Sequence, residues 1–177
     1  DSFLLHQNKE LSNRNLSVED YQVFLNNLPN FKTYEKMYRM YFANVKPSLH
    51  TITHMKKFLP LKKLKEFEIW NYPVEDVIRY NKILYDNKDV IDSKNILDFA
   101  GNIGYMSYIS LMYGASYVKM RDIHEFKISI AEKCISEENF SNFDVGISDV
   151  YNLENLKKDL ENIDTVLMAG IFPHITN

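Results

Sequence analysis

The segment Asp98-Phe99-Ala100-Gly101-Asn102-Ile103-Gly104 has the composition of a loop that brings backbone amides up to a ligand. It joins a short apolar run to a helix, so a sharp turn here would place N–H groups at the start of that helix, where anionic and polar ligand atoms are stabilised. Taken alone, Gly-x-x-Gly is equally the signature of a mere turn. Two later carboxylates strengthen the ligand reading. Asp122 follows Asp98 by 24 positions, at the end of a second strand-like run, where a carboxylate can accept both hydroxyls of a ribose. Asp149 follows a third such run. The plainer alternatives are that Asp122 caps the helix beginning near Glu125 and that Asp149 is a cap or turn residue. His174 stands where a side chain could act as a base or orient an acceptor, or be only a loop histidine, its ordinary pKa lying near neutrality. His50 and His54 have the i, i+4 spacing of helical metal ligands, but position 51 is not Glu and no third ligand is evident, so no metal is expected.

These residues are positioned by alternating elements. Ile96 to Ala100 reads as a buried strand, Tyr105 to Tyr113 as a helix stopped by Gly114, and Ser116 to Met120 as a second strand. Glu125 to Glu138 reads as a helix, Asp144 to Ile147 as a strand, Leu153 to Leu160 as a helix and Asp164 to Ala169 as a fourth strand. Strands alternating with helices at this spacing imply a parallel sheet with right-handed crossovers. The first 72 residues are read as a helical region. Helices are expected from Ser17, over Thr33 to Asn44 with Tyr34, Met37, Tyr38, Tyr41 and Phe42 as its apolar stripe, and over Ser48 to Phe58. Residues 73–177 form the second domain, opening with a helix from Pro73 to about Tyr85.

Ile96 to Gly104 resembles the first motif of class I S-adenosylmethionine-dependent methyltransferases, an acidic residue at a strand end followed by alternating glycines. The resemblance extends in register through Gly114-Ala115, Asp122, Ser148-Asp149 and Asp164-Thr165-Val166-Leu167, and so covers about Lys94 to His174. It implies a Rossmann-like α/β fold with strand order 3-2-1-4 within this chain, and S-adenosylmethionine as cofactor with S-adenosylhomocysteine as product. It implies that Gly101, Asn102 and Gly104 line the methionine end and that Asp98 reaches its amino group. Asp122 would hold the ribose, Asp149 would accept the adenine amino hydrogen, and Ala100, Ile123 and Val150 would flank the ring, with Ala169 at the edge of the same site. Ala100 and Asn102 replace two family glycines. Asn tolerates positive φ best among the other residues, so the turn can survive, but a non-catalytic binding or scaffold module is the alternative this departure raises. A nicotinamide-binding fold is a weaker alternative, since Ser107 stands where its third glycine would be. Arg121, where an apolar residue is expected, is read as pointing outward rather than reaching the adenosine.

The segment Ala169-Gly170-Ile171-Phe172-Pro173-His174 should face the methyl acceptor. It lacks both the Asn-Pro-Pro-aromatic sequence of base-nitrogen methylation and the Pro-Cys of cytosine C5 methylation, and it resembles enzymes acting on small molecules or on tRNA. The acceptor itself is not readable. Composition adds limits: 177 residues, 45% hydrophobic and 25% charged, with net charge -3, suit an ordinary globular chain without a global call for nucleic acid. Residues 31–66 nevertheless hold nine lysines and arginines against two glutamates, a solvated basic face or an RNA contact through region 32–65. The helical region is expected to shape acceptor access or a homodimer contact. Cys134, the single cysteine, excludes an intrachain disulfide and fits a structural role in a reducing, cytoplasmic setting. No run is long and apolar enough to span a bilayer. A chain that opens on Asp1 and stops just after its fourth strand is expected to be a methyltransferase fragment of a longer product, or to have that strand's edge covered by another chain or by its N-terminal segment, and these 177 residues alone are expected to bind cofactor weakly and transfer no methyl group.

Overall fold

The computed structural model describes residues 31–44, 80, 81 and 83–169, and its contacts divide the chain into two units, Asp1–Lys82 and Ile83–Asn177. The expected boundary at 72/73, the helices from Ser17 and Ser48, the His50/His54 pair and His174 lie outside the described residues.

In the first unit, helix α1 runs Phe31–Asn44. Thr33, Tyr34 and Met37 are buried, whereas Lys32, Lys36 and Arg39 on its other side are exposed. The described part of the aromatic stripe is therefore narrower than its spacing suggested. Tyr38 and Tyr41 are half-buried, and the Tyr38 ring lies tilted against that of Tyr34, with centroids 4.5 Å apart, and edge-to-face against that of Tyr41, with centroids 6.5 Å apart. One cation of the basic face is already paired, Arg39 donating to Glu35 at 2.7 Å across one helical turn.

The second unit is a parallel α/β sheet. Strands β1 (Asn95–Phe99), β2 (Tyr117–Asp122), β3 (Phe143–Ile147) and β4 (Thr165–Leu167) lie in the order β3-β2-β1-β4. Every pairing is parallel, with Asp98 opposite Met120 and Leu167, and Asp122 opposite Ile147. This is the Rossmann-like order. β1 sits in the middle and is buried from Ile96 to Phe99, which explains its almost continuous apolar run. β2 is two residues longer at its carboxyl end than Ser116–Met120, because Arg121 and Asp122 keep the ladder with β3.

Three helices cross over between the strands: α2 (Tyr105–Met112), α3 (Glu125–Glu137) and α4 (Leu153–Asp159). α2 packs on β1 and β2, and α3 on β2 and β3. α2 is buried from Tyr105 to Leu111, as a helix apolar on all sides requires. α3 buries Ile128, Ile130, Ala131, Cys134 and Ile135, so the lone thiol serves packing. Because successive strand residues point to opposite faces, Leu97 and Phe99 face the other side, where Val150, Leu156, Ile163 and Met168 close over them. Among the described residues no helix is long and apolar enough to cross a membrane.

Candidate ligand site at the carboxyl ends of the strands

The loop after β1 is wound as its composition requires. Ala100, Asn102 and Gly104 take φ of 58°, 55° and 83°. These are the three positions at which the resembled motif carries glycine. Asn accepts this conformation readily, whereas for Ala100 it costs roughly 1 to 2 kcal/mol. Gly101 is required for a different reason. A β-carbon there would lie 2.8 Å from the Met120 Cγ and 2.9 Å from Asp98 Oδ2. One at Gly104 would lie 2.5 Å from the Ala131 Cβ, so the start of α2 is pressed directly on α3.

Asp122 ties this loop to the end of β2. Its Oδ2 accepts the Asn102 backbone N–H at 3.0 Å and its Oδ1 that of His124 at 2.9 Å, and the residue is 5% exposed. His124, the residue that precedes α3, makes no side-chain cap. The carboxylate is thus a brace between two loops rather than a cap on the helix amides beyond. Each oxygen, having taken one N–H, retains capacity to accept another donor.

Asp98 lies deeper. Its Oδ2 accepts the Ser107 hydroxyl at 2.6 Å, and the Ser107 backbone N–H also bonds the carboxyl, so β1 supplies the capping group for the first turn of α2. Burial raises its pKa to about 6, assisted by the charge of Asp122 and opposed by the two bonds from Ser107.

On the far side of β2 the loop from Ser148 to Asn152 joins the arrangement. The Ser148 N–H donates to the Asp122 carbonyl at 3.2 Å, while its hydroxyl, on a residue 2% exposed, has no hydrogen-bond partner among the described residues. Asp149 is exposed. Its Oδ1 accepts the Tyr151 N–H at 3.0 Å and its carbonyl the Asn152 N–H at 2.9 Å, so the turn role proposed from sequence is present and occupies one carboxylate oxygen. Asn152 then caps α4 through the Asn155 N–H at 3.1 Å. Val150 and Ala100 both pack against the Leu97–Phe99 pair, whereas Ile123 is 58% exposed and Ala169 is half-buried just past β4.

Arg121, expected to point outward, is instead tucked against the sheet. It points neither into solvent nor toward Asp122. Its side chain is 12% exposed, Nε donates to Asp159 at 2.6 Å, one terminal nitrogen to Asp144 at 2.6 Å and the other to the Met120 carbonyl at 2.9 Å. Burial alone would lower its pKa, but the hydrogen bonds it donates to Asp159 and Asp144 raise it, so the cation persists. Strand alternation gave a signal: neighbours in β2 must face opposite sides, so a buried Asp122 directs Arg121 under α4. Gly146 makes room, since a β-carbon there would come within 3.2 Å of the guanidinium. The hydroxyls of Ser107 and Ser148 are not assigned a role by the sequence, where Ser107 stands only at a missing glycine and Ser148 only as a landmark beside Asp149; the partner of Ser107 and the buried hydroxyl of Ser148 emerge from the fold. Among the described residues no cluster of three or more His, Cys, Asp or Glu side chains is placed to hold a metal ion.

No protein-family profile and no curated protein sequence matches this chain. Solved structures similar to it include a proposed RNA methyltransferase from Pyrococcus horikoshii, with 20% identity over 67% of this chain and 51% of that one and a TM-score of 0.39. A proposed S-adenosylmethionine-dependent methyltransferase from Streptococcus mutans shares 13% identity over 48% of this chain and 25% of that one, with a TM-score of 0.41. The Pyrococcus abyssi tRNA (uracil-54, C5)-methyltransferase in complex with S-adenosyl-L-homocysteine shares 18% identity over 41% of this chain and 18% of that one, with a TM-score of 0.36. The aligned region thus spans about half of the first of these chains or less.

Proposed function

We propose that the protein is an S-adenosylmethionine-dependent methyltransferase whose cofactor lies over the carboxyl ends of β1, β2 and β3, with a small molecule or tRNA as acceptor. The observation that carries this reading is the Asp122 carboxylate joined at 3.0 Å to the Asn102 amide, a polar brace where a strand-end acid and a positive-φ loop converge.

The residues present suit such a ligand. Asp122 keeps accepting capacity for a pair of hydroxyls, Ser148 has a buried hydroxyl in want of a partner, and Ala100 with Val150 forms an apolar floor. On this reading Asp122 holds the ribose, and the amides and small side chains of Gly101, Asn102 and Gly104 border the methionine end. The second oxygen of Asp149 meets the adenine amino group beside Ile123 and Val150, with Ala169 at the edge. S-adenosylmethionine supplies a methyl group on a cationic sulfur, open to in-line displacement. The chain's part is then proximity, orientation and exclusion of water, with His174 proposed to orient or deprotonate the acceptor.

The second reading is a binding module without catalysis, favoured by Ala100 and Asn102 in place of glycine. The retained positive φ at both positions argues that the loop still forms. Incubation with methyl-tritiated cofactor and separate tRNA and small-molecule extracts decides between them. Label should enter one fraction; saturable cofactor binding by the natural product with no label transferred would establish the module instead, and transfer by the natural product but not by these 177 residues would mark them as the cofactor-binding part of a longer enzyme.

A further inference from the structure

Helix α4 is seated on the sheet in an unusual way. A short amphipathic helix normally buries an apolar stripe. In Leu153–Asp159 the buried residue is Asp159, Leu153 is 66% exposed, and Leu156, half-buried, is the apolar contact of α4 with the Leu97–Phe99 cluster. Asp159 lies in the last turn, where the helix dipole disfavours an acid. Two cations from β2 offset that. Arg121 bonds the Asp159 carboxylate at 2.6 Å and reaches on to Asp144 of β3. Lys119, on the same face of β2, donates to the terminal carbonyls of Lys158 and Asp159 at 3.3 and 3.0 Å. The carboxyl end of α4 is therefore anchored by charge to β2, and through Asp144 to β3. The amino end of α4 is continuous with the turn carrying Ser148, Asp149 and Val150.

We propose that Arg121 is a positioning residue for nucleoside recognition: by seating α4 on the sheet through Asp159, it sets the loop 148–152 that meets the adenine. This rests on the cofactor reading above. A rigid helix of fewer than two turns transmits displacement of one end to the other. With little apolar burial to hold it, α4 depends on the ion pair for its place. Removing the cation also strands Asp159, a buried charge without its partner, which drives the helix off the sheet rather than merely loosening it.

The test compares the full chain with Arg121→Met, Arg121→Lys and the double variant Arg121→Met/Asp159→Leu. Binding of S-adenosylhomocysteine and of its inosine analogue is measured by calorimetry, and amide exchange is followed along the chain. Arg121→Met should weaken S-adenosylhomocysteine about tenfold and bring the two ligands' affinities together, with faster exchange confined to 148–160. Arg121→Lys should restore part of the affinity. The double variant, which replaces the buried pair by an apolar contact, should restore both slow exchange and preference for adenine, and it serves as the test if Arg121→Met does not fold. A folded Arg121→Met that keeps parental affinity, preference and exchange overturns the proposal, as does a double variant that folds without regaining adenine preference. If the parent binds neither ligand, the cofactor reading itself fails, and selective exchange in 148–160 would then show α4 seating without a nucleoside role.

Discussion

The β1–α2 loop and the β3–α4 loop meet at the same end of the same sheet, but the first is fixed by close packing and the second by short turns and a distant ion pair. In the first, Gly101 and Gly104 sit where a single methyl group would strike Met120, Asp98 or Ala131, and Asp122 bonds an amide from below. In the second, Asp149 and Asn152 satisfy their immediate neighbours, and the helix that follows buries an aspartate. A loop held by packing tolerates no added atom and leaves a glycine spacing in the sequence. A loop held by charge tolerates shape changes but not loss of its partner, and it leaves no periodic trace.

The largest effect is expected at Gly104, in the loop held by packing. Gly104→Ala adds a methyl against Ala131 and forces an L residue into positive φ. The sum of overpacking and left-handed strain should cost about 3 kcal/mol in urea unfolding. Little change would mean that α2 and α3 separate easily at this point.

A smaller effect belongs to Asp98. Its folded pKa of about 6 lies above the ordinary value of 3.8, so its contribution to stability is fully present below about pH 4 and is lost as pH rises through 6. Asp98→Asn keeps an acceptor for Ser107 without the buried charge. The variant should therefore gain on the parent by roughly 2 to 3 kcal/mol between pH 4 and pH 7.5. Parallel stability-against-pH curves for the two proteins would contradict this.

The smallest effect is expected at Ala100, where a methyl group sits at positive φ. Ala100→Gly removes left-handed strain of about 1 to 2 kcal/mol but adds unfolded-state entropy worth about 0.5 to 1 kcal/mol. A net gain near 0.5 kcal/mol in urea midpoint analysis is expected, with S-adenosylhomocysteine affinity unchanged or improved. A loss would mean that the methyl group of Ala100 packs usefully on Leu97 and Phe99.

What was legible followed from periodicity and backbone geometry. The alternation from Asn95 onward carried the parallel sheet, and the resemblance of the Asp98 loop carried its order, because buried strands and positive-φ turns restrict residue type locally. Arg121 was misread because its partners, Asp144 and Asp159, are 23 and 38 positions away and acquire meaning only once α4 folds back over β2. The carboxyl end of β2 was placed too early for a related reason: charged Arg121 and Asp122 resemble a strand's exit, yet the ladder with β3 continues through both. Ser107 was hidden by its small size, its role being defined by a carboxylate nine residues earlier.

The brace formed by Asp122 and the Asp98–Gly104 loop is proposed to hold the ribose of an adenosyl cofactor. Calorimetric titration of S-adenosylhomocysteine into the parent and into Asp122→Ala tests it most directly. A saturable one-site isotherm is expected for the parent and affinity lower by about tenfold to a hundredfold for the variant, the loss expected for charge-assisted hydrogen bonds. A flat parental titration accompanied by NAD binding, or a folded Asp122→Ala that binds as tightly as the parent, would contradict it.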